Sequence, residues 1–105
     1  MQANPALWAH TAIIVTYDEN GGLWDHVAPP RGDRWGPGTR VPTIVISPFA
    51  RKGFVDHTVY ETVSILALIE KRWGLTPLTE RDARAAPMFG AFDLSDARSP
   101  ARSGR

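Results

Sequence analysis

The chain has 105 residues, of which 43% are hydrophobic and 22% charged, with no cysteine and a formal net charge of +1. That length suits one small domain burying about two-thirds of its unfolded surface, and the composition is globular rather than disordered. The balance excludes a disulfide framework, thiolate metal ligands, a bilayer-crossing apolar run and an electrostatic case for nucleic acid, and residues 1–10 lack the regions of a signal peptide.

Residues 12–17 open the ordered part with Ile13, Ile14 and Val15, an apolar β-branched run that reads as a buried strand. It ends abruptly in Asp18 and Glu19, then Asn20, the pair Gly21-Gly22, and Asp25-His26. In open α/β sheets, ligands collect beyond the carboxyl ends of strands. Asp18, Glu19 and Asp25 as oxygen donors and His26 as an imidazole, gathered on one loop there, suit a divalent metal cation of undetermined identity. Asp-Glu-Asn-Gly-Gly also reads as an ordinary turn, because Asn and Gly tolerate positive φ.

Residues 21–38 form a long loop rich in Gly and Pro, the length at which loops become lids or binding loops. Arg40 follows it, and its planar fork suits either a phosphate or a carboxylate that would hold the loop. A second strand covers residues 41–47, with Pro42 near its start and Pro48 ending it. Both strands are nearly uniformly apolar, as in a sheet buried on both faces. Asp56 and His57 lie in the next loop, where a histidine is either solvated or part of an active-site rim.

Thr58 and Glu61 have the spacing of a capping box opening a helix that runs to Trp73, with Gly74 as its stop. Residues 76–84 are polar and read as surface chain, residues 87–92 as a return that packs two aromatics on the core, and residues 95–105 as a disordered tail. Residues 1–94 thus form one domain with no internal repeat.

The run from Tyr17-Asp18-Glu19-Asn20-Gly21-Gly22-Leu23-Trp24-Asp25-His26 to Pro30 resembles the signature of the bacterial phosphoesterase family, which contains phosphatidylcholine-type phospholipases C and related acid phosphatases. Gly38-Thr39-Arg40-Val41-Pro42, Val45-Ile46-Ser47-Pro48, Gly53-Phe54-Val55-Asp56-His57 and the Ser64–Leu75 helix follow in the family's order. As an ordered set they are specific, although each is modest alone.

The resemblance implies an α/β fold in which the chain is the C-terminal part of an alkaline-phosphatase-like sheet flanked by helices. It implies a metal-dependent hydrolase acting on a phosphate ester, either a small molecule or a phospholipid head group. Asp18, Glu19 and Asp25 would face the metal, His26 and His57 would serve catalysis, and Arg40 would bind substrate. Family members are several times longer and carry their nucleophile in an N-terminal part. The expectation is therefore a missing N-terminal half and no turnover by this chain alone. Relatives are often exported. Where many of them carry histidine at the start of the helix, this chain has Thr62. That departure weakens a choline-lipid specificity. The competing readings are a non-catalytic interaction module and a degenerate remnant.

Overall fold

A computed structural model describes residues 2–95. The elements are α1 (Pro5–Trp8), β1 (Ile13–Thr16), β2 (Thr43–Ile46), α2 (Val63–Trp73), α3 (Glu80–Arg84) and a 3-10 turn (Met88–Ala91). The chain is thus mixed α/β. It divides into two compact units, one ending at Pro48 and the other beginning at Phe49.

In the first unit, Asn4 caps α1, its Oδ1 accepting from Leu7 N at 3.1 Å, and Pro5 occupies the first helical turn, where a missing N–H costs nothing. β1 and β2 pair antiparallel, with Ile13 opposite Ile46, Ile14 opposite Val45, Val15 opposite Ile44 and Thr16 opposite Thr43. The last pair adds a hydroxyl–hydroxyl bond of 2.8 Å, and Ser47 Oγ donates to Thr11 O at 2.9 Å. Both strands are shorter than the apolar runs that announce them.

The expected burial on both faces does not hold: Val15 is 49% and Ile44 60% exposed. A sheet is buried on both faces only when helices cover it. The one helix described in this unit is α1, which has four residues and none buried. Two antiparallel strands leave both outer ladders open, and such a pair is marginal by itself in water.

Every buried residue among the described ones belongs to the second unit: Ser64, Ala67, Glu70, Asp82, Ala85, Met88 and Phe92. Gly74 ends α2 as expected, in the left-handed region at φ 65°, where a β-carbon is disfavoured. The start of α2 is not where the sequence reading puts it. Thr58 N donates to Asp56 Oδ1 at 3.0 Å, and the helix begins only at Val63. Glu61 does not reach back to Thr58; its carboxylate pairs with Arg81 at 2.7 Å, and its N–H donates to Ser64 Oγ at 3.1 Å.

The capping box forms further along. Thr79 Oγ1 accepts from Arg81 N at 3.2 Å, and Asp82 Oδ1 accepts from Thr79 N at 2.8 Å, which opens α3. The segment read as surface chain thus holds a helix and a buried aspartate. Residues 87–92 do return to the core, but the buried pair is Met88 with Phe92, while Phe89 stays half-buried. Two backbone bonds hold this return: Arg51 N donates to Ala91 O at 3.1 Å and Asp93 N to Phe49 O at 2.7 Å. Gly90 lies against the pair in which Tyr60 Oη donates to Asp56 Oδ2 at 2.7 Å. A β-carbon on Gly90 would stand 3.2 Å from both oxygens, tighter than ordinary contact. Beyond Ser95, the expected tail lies outside the described residues.

Candidate functional site

The turn after β1 is built from its own side chains. Asn20 Oδ1 accepts from Gly22 N at 3.2 Å and Asn20 Nδ2 donates to Leu23 O at 2.7 Å. Gly21 and Gly22 supply φ of 64° and 74°, as the Asn-Gly-Gly sequence predicts. The chain is thereby reversed, and Trp24, Asp25 and His26 are delivered to one concavity. Its volume is about 480 Å³, and Tyr17, Asn20 and Arg40 line it with them.

At its centre Arg40 grips Asp25 side-on. Nε donates to Oδ2 at 2.9 Å and Nη2 to Oδ1 at 2.8 Å, while Val27 N donates to Oδ1 at 3.0 Å. The Arg40 guanidinium, followed by the Val27 amide, holds the Asp25 carboxyl well below the usual carboxylate range. The same bond raises the guanidinium's own pKa. Asp25 is thus anionic at any working pH. Most of Arg40 remains in solvent, at 62% exposure against 13% for Asp25. Two charge-assisted bonds fix the plane of the fork, and its far side stays open to an incoming anion.

His26 Nδ1 stands 3.7 Å from Asp25 Oδ1, too far for a hydrogen bond but close enough for attraction once the ring is protonated. Trp24 lies beside it, ring centroids 6.4 Å apart.

The structure therefore brings together Asp25, His26 and Arg40 of the residues expected at the site. Asp18 and Glu19 do follow the carboxyl end of β1, but Asp18 Oδ1 accepts from Glu19 N at 3.1 Å, both residues are exposed, and neither lines the concavity. Among the described residues no group of three or more His, Asp or Glu side chains is placed to hold a metal ion. Asp25 already spends both oxygens on Arg40. The donors present do not by themselves fit a divalent cation. His57 belongs to the second unit, where it is exposed between Asp56 and Thr58. Sequence reasoning passed over Asn20 as a site-shaping residue, though the Asn-Gly-Gly turn was the signal for it.

The phosphoesterase family model matches residues 1–76, and the chain belongs to the phosphoesterase family. Among curated proteins it is similar to phospholipase C B of Mycobacterium tuberculosis, 36% identical over 95% of this chain and 24% of that protein. The non-hemolytic phospholipase C of Pseudomonas aeruginosa is 32% identical over 71% of the chain and 15% of its own length. The non-specific phospholipase C6 of Arabidopsis thaliana is 38% identical over 75% of the chain and 20% of its own length. The chain thus spans about a quarter or less of the length of these relatives.

Proposed function

We propose that the chain is the portion of a phosphoric ester hydrolase that receives the phosphoryl group, with Arg40 as the receiving residue. The observation that carries this reading is the Asp25–Arg40 clamp inside the stretch that the family match covers. A guanidinium that is held in one plane loses little freedom when it binds, and it presents parallel donors to phosphoryl oxygens. Asp25 neutralises the clamp in the resting state and sets its direction. His26, at the edge of the same concavity, is suited to hand a proton to a leaving oxygen. His57 is assigned a proton-transfer or positioning role on the resemblance alone.

The reaction class is hydrolysis of a phosphomonoester or phosphodiester, of the acid phosphatase or phospholipase C type. The names of the relatives favour the diester. The nucleophile is assigned to the part of the protein that the chain does not span. Ser64, inside α2, is fully buried and its Oγ is engaged by Glu61 N, so it does not serve. The same reading takes β1 and β2 as a piece of a larger alkaline-phosphatase-like sheet. It takes Asp18 and Glu19 as two donors of a divalent cation whose other ligands come from that remaining part.

The test is calorimetric titration of the 105-residue chain with methyl phosphate and dimethyl phosphate, alongside Arg40→Ala. Loss of a charge-assisted contact should weaken binding about tenfold or more. Equal affinities in the two proteins would remove Arg40 from the site. The chain by itself should not turn over bis(p-nitrophenyl) phosphate.

A further inference from the structure

In the second unit, two carboxyl groups meet out of solvent. Glu70, in the last turns of α2, is 4% exposed, and Asp82, in α3, is 1% exposed. α3 packs on α2, and each of the two carboxyls perturbs the other's ionisation as a neighbour. Asp82 is otherwise saturated: Oδ2 accepts from Leu78 N at 2.7 Å, and Oδ1 accepts from Thr79 N at 2.8 Å and from Thr79 Oγ1. Glu70 is less well supported: the Leu78 amide also acts on it, but its Oε1 is buried without a hydrogen-bond partner.

A carboxylate–carboxylate contact has no donor, so a bond between these two groups requires one proton. Asp82 accepts from three donors and is the stabilised anion. Glu70 has an empty oxygen and must carry the proton. We propose that Glu70 and Asp82 share one proton and form a pH-sensitive latch that fastens the α3 capping box to the end of α2.

The remaining charged groups on the packed elements do not relieve the pair. On α3, Arg81 is bonded to Glu61 at 2.7 Å and Arg84 to Glu80 at 3.0 Å. On α2, Lys71 and Arg72 are exposed, and the 3-10 turn Met88–Ala91 has no titratable side chain. The joining residues 75–79 have none either. Desolvation, with Asp82 beside it, pushes Glu70 up, while the Thr79 hydroxyl and the Leu78 amide bring Asp82 down to about 2.

The sign follows from linkage. Glu70, with its folded pKa raised, contributes stability that is fully present below its unfolded value near 4.5 and is lost as pH rises through the folded value. Asp82, with its folded pKa lowered, contributes stability that is present above 3.8 and is lost as pH falls towards 2. The latch is closed in the mildly acidic window. It opens on the alkaline side, when Glu70 ionises against Asp82.

The experiment is urea unfolding of the full chain against pH, with Glu70→Gln beside it. Gln donates to Asp82 at every pH. Between the unfolded and folded Glu70 values, the wild-type folding constant should fall by up to about tenfold per pH unit, one proton's worth. Glu70→Gln should be flat over the same range. Should that variant fail to fold, carbon-detected NMR of the wild-type Glu70 carboxyl decides alone. A midpoint above the ordinary glutamate range, with loss of amide protection at Leu78 and Thr79, supports the latch. An ordinary midpoint, or identical pH profiles in the two proteins, overturns it.

Discussion

Truncating Met88 is the most exacting test of how the second unit holds together. Only Ala67, Ala85, Met88 and Phe92 are buried apolar residues among the described ones, so Met88 and Phe92 are the two large members of that core. Met88 is 4% exposed and sits in the 3-10 turn that packs on α2. Met88→Ala deletes most of the side chain and leaves a cavity that two alanines cannot fill. Buried Met→Ala changes cost about 2–5 kcal/mol, against a total of about 5–15 kcal/mol for an ordinary domain. About 3 kcal/mol is expected here, which would lower the melting temperature by roughly 12–24 °C in a domain of this size. Met88→Leu keeps the volume and should cost less than about 1.5 kcal/mol. Urea unfolding followed by far-ultraviolet circular dichroism measures both, with the slope unchanged if only stability moves. A loss below about 0.5 kcal/mol for Met88→Ala, the size of a surface change, would mean that the 87–92 return is not docked on α2.

Gly74→Ala forces a β-carbon into the left-handed region at φ 65°, and should cost about 1 kcal/mol or more in the same urea assay. Thr79→Ala removes the cap of α3, should cost about 1 kcal/mol, and should selectively speed amide exchange at Arg81 and Asp82. Titration with Mg²⁺ or Mn²⁺ should show no saturation below the millimolar range, because two exposed carboxylates make a poor site. Tight binding lost in Asp18→Ala/Glu19→Ala would restore a complete metal centre to this loop.

What could be read in the sequence was local. The Asn20-Gly21-Gly22 turn, the Gly74 stop and the two strands follow from residue chemistry within a few positions, and the structure has them. The capping box failed at Thr58 because Glu61 has a better partner in Arg81, twenty residues further on. The Thr79–Asp82 box has the same spacing and was equally legible, but a polar stretch without apolar periodicity hid the short helix it opens. Burial of the strands was misjudged because an apolar run records the need for a cover, not its presence in the chain. Asp25 and Arg40 were each singled out, and an arginine–carboxylate clamp was one of two readings for Arg40. The pairing of these two residues, fifteen positions apart, required coordinates.

The central claim is that the Arg40 fork, held by Asp25, receives a phosphoryl group. Nitrogen-15 NMR of the arginine Nε–H signals during titration with methyl phosphate tests it most directly. The account predicts a saturable shift at Arg40, accompanied by His26 and abolished in Asp25→Asn, with Arg81 and Arg84 unmoved. Shifts of equal size at all exposed arginines, or a saturable shift centred on the second unit with Arg40 silent, would contradict it.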